Sequence, residues 1–467
     1  MATDQFPTDR QLAGHHDTLA VTSPALTLTA ALLGFALITL DASVVNVALP
    51  AIGSALGGGM TGLQWVVDAY TLAFAALMLS TGAFADRAGA SRAYALGVTV
   101  FTLASAACGL APGLPALIGA RVAQGVAAAV VLPASLALVR QAYTEPARRA
   151  RAVALWAAGG SAAVALGPVA GGALTTAWGW RGIFFVNLPL GAAALVLLLR
   201  TPRSARRPAP VDLPGQLTAV VALTALTFAV IEGGGTGLAA LVVAIVSAAA
   251  FVRVEARHPH PVVPLSLFRD RTVSAAVAAG AAVSVAFYGG VFVFSLFFQQ
   301  VQGLSALSAG LVFLPMAGLI GVTNVVAGRL SARHGTRPTM LAGQSLAAAG
   351  LLVLLVVDAG TPAALVAVLL VPMALGCALT VPPLTAAMME AVPAERAGLA
   401  AGVLNAARQV AGGLGIALFG TLVSHGFTAG MRAGLALGAA LLAVTAALSS
   451  RRAGRPARWA GTPGGRR

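Results

Sequence analysis

The feature that most constrains this chain is the recurrence of long apolar stretches without a single charge. Thr272–Gly328 runs 57 residues with no acidic or basic side chain. Shorter runs recur at Thr18–Leu40, Ala93–Ala120, Ala152–Trp180, Leu213–Ile231, Gly233–Val252, Ala359–Met389 and Gln409–Met431. A helix needs about 20 apolar residues to cross the hydrocarbon core. Inside lipid the backbone must satisfy its own hydrogen bonds, so such stretches become helices. Only 9% of the 467 residues are charged and the mean hydropathy is +0.89, against about 25% charged in soluble chains. One aqueous core cannot hide that much apolar surface. The expected fold class is all-α, a polytopic membrane protein with lipid as its solvent.

Dividing the runs at their polar breaks predicts 14 helices. They fall near 26–51, 62–85, 93–111, 114–139, 151–174, 182–199, 213–231, 236–252, 273–298, 308–328, 338–357, 362–388, 398–422 and 430–449. The arginines test that count, because short cytoplasmic loops collect basic residues. With the N-terminus inside, the loop after helix 4 carries Arg140, Arg148, Arg149 and Arg151. The loop after helix 6 carries Arg200, Arg203, Arg206 and Arg207, and the loop after helix 8 carries Arg253, Arg257, Arg269 and Arg271. The outer loops hold only Arg181 and Arg432. A miscount by one helix inverts this asymmetry, so both termini are expected in the cytoplasm. The same loops account for the net charge of +15, which therefore gives no reason to expect nucleic acid. Met1 to Asp17 is polar, with three acids and one Arg. That is unlike a signal peptide and reads as a cytoplasmic tail before a retained first helix.

An internal repeat supports the same architecture. Gly82-x-x-x-Asp86-Arg87-x-Gly89 recurs as Gly328-x-x-x-Ala332-Arg333-x-Gly335, an offset of 246, and Pro146-Ala-Arg-Arg-Ala recurs as Pro393-Ala-Glu-Arg-Ala, an offset of 247. Six helices occupy about 175 residues, so the longer offset calls for two inserted helices, an arrangement of 6 + 2 + 6. The expected divisions are a tail at 1–25, a six-helix half at 26–200, a linker with two helices at 201–252, and a cytoplasmic loop at 253–272. A second half at 273–450 and a basic tail at 451–467 complete the chain.

Candidate functional residues are those that lipid should not tolerate without a reason. A charge at mid-membrane costs about 2.5–3.5 kcal/mol or more and should face a partner or a wet cavity. Asp41, Arg121 and Asp68 lie about ten, seven and six residues from the outer ends of helices 1, 4 and 2, similar depths at about 1.5 Å per residue. Arg408 sits near the middle of helix 13. On helix 9, Tyr288, Phe292, Ser295 and Gln299 share one polar and aromatic face. The loop Gly82–Arg92, with Asp86, Arg87 and Gly89, is a tight turn whose acid could accept from the free N–H groups of a neighbouring helix start. Helix 5 carries Gly167-Pro168-x-x-Gly171-Gly172, where glycines allow close backbone approach and proline bends the helix. Cys108 and Cys377 lie in separate apolar runs and imply neither a disulfide nor a metal site.

These residues resemble a known family, the 14-helix drug:proton antiporters of the major facilitator superfamily. Leu40-Asp41-Ala42-Ser43-Val44-Val45-Asn46-Val47-Ala48-Leu49-Pro50 is similar to the family's helix 1 signature, with Ser43 where Thr is usual. Residues 82–92 are similar to its helix 2–3 loop motif, with Ala90 and Ser91 where basic residues are common. Arg121-x-x-Gln124-Gly125 looks like the helix 4 motif, whose arginine is implicated in proton coupling. Gly167-Pro168-x-x-Gly171-Gly172 looks like the antiporter motif, with Ala163 where Gly is usual. Trp180 to Pro189 is similar to the segment entering helix 6.

The resemblance implies a proton-coupled antiporter in a bacterial-type inner (plasma) membrane. It would export amphipathic small molecules, cationic or aromatic, such as drugs, antiseptics or antibiotics, by alternating access. Asp41, Arg121 and Asp68 are then expected in proton coupling. Asn46, Gln124, Tyr288, Phe292, Gln299, Asn405 and Arg408 are expected in the substrate cavity. Gly82, Asp86, Arg87, Gly89 and Arg92, with Gly167, Pro168, Gly171 and Gly172, are expected in the conformational gate. No cofactor is expected; the energy source would be the proton gradient. The expected partners are a lipophilic or cationic substrate, protons and membrane lipids. The alternative is a dedicated exporter of one endogenous metabolite or antibiotic. A channel or importer fits the antiporter motif and buried Asp41 less well. An enzyme fits least, because no nucleophile–His–acid set, phosphate loop or metal cluster stands out.

Overall fold

The computed structural model describes residues 23–201, 203–206, 212–259, 261, 263–393 and 397–451. Most of the two expected tails, 1–22 and 452–467, lies outside the described residues. Among those described, sixteen α-helices run in the order α1 (Pro24–Leu56), α2 (Gly59–Ala88), α3 (Ala90–Gly109), α4 (Leu114–Ala142), α5 (Pro146–Trp178), α6 (Gly182–Phe185), α7 (Asn187–Leu198), α8 (Leu213–Glu232) and α9 (Gly234–Glu255). Then come α10 (Arg271–Leu296), α11 (Ala306–Val312), α12 (Leu314–His334), α13 (Thr336–Val353), α14 (Ala363–Glu390), α15 (Ala397–Ser424) and α16 (Phe427–Arg451). Eleven helices are long and apolar enough to cross a membrane, or twelve with the bent α2 taken as one span. The apolar segment Gly182–Leu198 is shorter. The all-helical membrane architecture is therefore as expected, with eleven or twelve spans among the described residues where the sequence predicts 14.

Two predicted helices are broken where proline removes a donor. Pro189 cannot bond back to the carbonyl of Phe185, and α6 gives way to α7 at Val186. Pro315 likewise frees the carbonyl of Leu311, and α11 gives way to α12 at Phe313. α10 ends in a π-helical turn at Phe297–Val301, a geometry that lets Gln299 turn towards α1.

The repeat read in the sequence is visible in the packing. In the first half α1 packs on α5 and α7, α2 on α4, and α3 on α4 and α7. In the second half α10 packs on α15 and α16, α12 on α14, and α13 on α14 and α16. Each pairing has its counterpart one repeat later. The two loops with matching sequence share a backbone turn: Gly89 and Gly335 have φ of 86° and 91°, a region only glycine enters freely. The halves meet through α2 on α15, α5 on α11 and α12, and α1 on α10. The inserted pair packs on itself, and α8 also lies against α2 and α15. Gln216 donates to the carbonyl of Ala76, and Thr421 donates to the carbonyl of Val230 at 2.9 Å.

Candidate functional site

Of three features, two lie at the interface between the halves, and one, within the first half, adjoins it. The first is a buried polar cluster under α1. Arg121 on α4 forms an ion pair with Asp41 on α1, and both side chains are fully buried. The second oxygen of Asp41 accepts from Asn187 at 2.7 Å and from Gln124 at 3.0 Å. Gln124 also accepts from Arg121 at 2.9 Å and donates to Ser105 at 2.6 Å. Asn187 donates to Ser105 at 3.0 Å, and Cys108 donates to Gln124 at 3.1 Å. Arg121 Nε donates to the carbonyl of Val66 at 3.0 Å, which ties α4 to α2. Four helices and the α6–α7 break thus hold one carboxylate. Both carboxylate oxygens of Asp41 are hydrogen-bonded, which offsets the cost of burying its charge; Arg121 Nη2 has no hydrogen-bond partner.

The second feature is a cavity of about 310 Å³ that adjoins another of about 210 Å³. Both halves line it. Asn46, Tyr70 and Trp156 come from one half, and Tyr288, Asn405 and Arg408 from the other. The wall is aromatic: Phe35 stacks on Trp156 with ring centroids 4.2 Å apart. Tyr70 divides the cavity from the polar cluster. Its ring lines the cavity, and the Arg121 guanidinium carbon stands 4.4 Å from the ring centroid.

The third feature is a seal at one end of the bundle. Gln64 donates to the carbonyl of Ala417 at 2.5 Å. Ser295 and Gln299 each donate at 2.9 Å, to the carbonyls of Asn46 and Val47. Gly167 and Gly171 let α5 settle on α1, where a Cβ would strike Ser43 or come 2.6 Å from the carbonyl oxygen of Val44. Gly172 faces the other half, and a Cβ there would strike the carbonyl of Ala306 on α11. Gly310 meets the carbonyl of Pro168 in the reciprocal contact. At the opposite end no hydrogen bond joins the halves among the described residues, and Asn405 is exposed.

The expected residues divide accordingly. Asp41 and Arg121 are in contact. Asp68 is fully buried but separate from them: it faces Gly413 across the α2–α15 contact, and neither carboxylate oxygen has a hydrogen-bond partner. Asn46, Tyr288, Asn405 and Arg408 line the cavity. Gln124, Phe292 and Gln299 do not. Gln124 is spent on Asp41 and Arg121, Phe292 is fully buried in the apolar core, and Gln299 belongs to the seal. Asp86, Arg87 and Arg92 are exposed, and Asp86 touches no helix start among the described residues. A Cβ on Gly82 would meet nothing within 4 Å. Asn187, Ser105 and Gln64 carry no expectation from the sequence, and Cys108 is read there only as an unpaired thiol. Asn187, Ser105 and Cys108 are lone small polar residues in apolar runs, and only their convergence on Gln124 and Asp41 makes them notable.

Residues 31–416 match the profile of the Major Facilitator Superfamily. The chain belongs to that superfamily. It is a multi-pass membrane transporter and not an enzyme. Within the superfamily it falls among drug and antibiotic efflux proteins. It is 42% identical over 407 residues to multidrug resistance protein Stp of Mycobacterium tuberculosis, covering 85% of this chain and 76% of that protein. It is 38% identical over 403 residues to the methylenomycin A resistance protein of Streptomyces coelicolor, covering 85% of each. The fold is shared with a bacterial homolog of the human lysosomal transporter Spinster, at a TM-score of 0.67 and 18% identity over 91% of this chain and 96% of that one.

Proposed function

We propose that this transporter is a proton-driven antiporter of the plasma membrane. It exports amphipathic small molecules such as drugs or antibiotics by alternating access, across 14 spans arranged 6 + 2 + 6. The observation that carries the reading is the fully buried Asp41–Arg121 pair, one side chain away from a cavity shared by both halves. Protonating Asp41 removes the charge that Arg121, Gln124 and Asn187 are arranged around. The guanidinium then loses its partner and its hold on the Tyr70 ring changes. A proton on Asp41 is thereby felt at the cavity wall. Alternating access would open the sealed end, which is the outer face when both termini are cytoplasmic. The structure then represents the inward-facing state, and Asp86, exposed here, would engage only when the inner face closes.

The names of the relatives support export, and several are tied to one antibiotic. The tetracenomycin C resistance and export protein of Streptomyces glaucescens is 32% identical over 410 residues. That favours a second reading, a dedicated exporter of one metabolite. Transport into proteoliposomes under an imposed pH gradient tests the first reading. Uptake against a concentration gradient that collapses with the pH gradient is the expected result; uptake indifferent to pH contradicts it. Growth protection against a panel of unrelated compounds, or against a single one, separates the two readings.

A further inference from the structure

The charge balance of the cavity points to the kind of compound it takes. Among the described residues no Asp or Glu lines either cavity, and Arg408 is the one charged side chain in both linings. Asp41 is neutralised by Arg121 behind Tyr70, and Asp68 is absent from both linings. Arg408 forms no ion pair among the described residues, and its buried Nε has no hydrogen-bond partner. Its position is built into the helix packing. Gly280 on α10 makes room for its stem, since a Cβ there would stand 3.1 Å from Arg408 Cγ and 3.0 Å from Leu404 Cδ1.

A guanidinium stays charged at any physiological pH and offers a planar fork of donors that fits a carboxylate or a similar oxyanion. Between apolar walls its field attracts anions and repels cations more strongly than it would in bulk water. Arg408 stands at the junction of the two cavities. Asn405 and Gln409 lie beside it in the larger one. Ser284, whose hydroxyl is buried without a partner, lies in the smaller one. The stacked Phe35 and Trp156, with Tyr70 and Tyr288, form an aromatic bed in the larger cavity.

We infer that the transported compounds are aromatic acids, whose carboxylate, enolate or sulfonate sits on Arg408 and whose ring system lies on the aromatic wall. The inference rests on the export reading above and narrows it. An expectation of cationic substrates finds no acid in the cavity to receive them.

Three dyes test this in proteoliposomes with an imposed pH gradient. They are 1-anilinonaphthalene-8-sulfonate, its uncharged parent N-phenyl-1-naphthylamine, and the cation ethidium. The sulfonate should be carried with a KM about tenfold or more below that of the parent, the scale of one hydrogen bond to a charged group, and ethidium should not be carried. Arg408→Gln should abolish the preference, so that the KM for the sulfonate is no lower than that of the parent dye measured in the same variant, and Arg408→Lys should recover part of the difference. The wild-type comparison alone decides the question if a variant does not fold. Ethidium carried as well as the sulfonate, or equal KM values for sulfonate and parent, overturns the assignment and leaves export standing. Gradient-driven movement of none of the three overturns the export reading and this inference with it.

Discussion

Asp41 is the residue on which coupling turns, and its surroundings set what a substitution should do. Asp41→Asn keeps the shape and two of the hydrogen bonds but leaves Arg121 without a counter-charge. The expected outcome is loss of gradient-driven accumulation by about tenfold or more, equivalent to about 1.4 kcal/mol on the coupled step, with downhill exchange retained. A purely structural ion pair predicts otherwise. Removing one partner of a buried pair costs about 3–5 kcal/mol, so abundance in the membrane would fall and recover when Arg121 is neutralised as well. Blotting for abundance beside transport separates the two. Asp41 and Arg121 were legible in the sequence because a charge in lipid is expensive and each stood alone in its helix. Asn187, Ser105 and Cys108 were not, because one small polar side chain costs an apolar helix little and its purpose lies in a different helix. Phe292 was misplaced because aromatic residues at helical spacing look the same in a core as on a cavity wall.

At the scale of helices, the Gly-Pro-x-x-Gly-Gly segment of α5 was readable as a close-packing surface, but the residues do not say which neighbour each glycine meets. The structure gives Gly167 and Gly171 to α1 and Gly172 to α11 in the other half. Gly172→Leu should therefore push α5 from α11 and weaken the seal without disturbing the α1–α5 contact. A cysteine replacing Val47, which is fully buried at the seal, should then react several-fold faster with an impermeant thiol reagent than in the unaltered background. Equal labelling would mean that the seal does not depend on this approach. The loop at the opposite end makes the complementary case. Asp86→Asn should abolish turnover at unchanged abundance if the acid engages a helix start on closure, and unaltered transport would leave it a simple turn. The helix breaks at Val186 and Phe313 had a sequence signal in Pro189 and Pro315, but proline inside a membrane helix is often accommodated without a break, and α1 and α4 run on through Pro50 and Pro133.

At the scale of the whole molecule, the two repeats were legible because matching loops lie 246 and 247 residues apart, and the packing of the two halves repeats with them. The inserted pair is where topology remains open to experiment. α8 and α9 are 20 and 22 residues long, enough to span, and only 11% of the apolar window of α9 is buried against protein, as expected of a helix that faces lipid. Two inserted helices preserve the sidedness of everything downstream whether or not they cross the membrane. Cysteines at Ala205 and Ala256, both exposed, should therefore be protected from an impermeant thiol reagent in intact cells in either case, and labelling at one of them would sink the cytoplasmic placement of both loops. The turn between α8 and α9 carries the decision. Thr236, in the first turn of α9, is exposed, so Thr236→Cys should label from outside if the pair spans. The two native cysteines, Cys108 and Cys377, are buried and should contribute little background. Protection of Thr236→Cys in intact cells, with labelling once the membrane is permeabilised, would leave 12 crossings and place α8 and α9 on the inner side. Labelling in intact cells, with Ala205→Cys and Ala256→Cys protected, is the result that 6 + 2 + 6 requires.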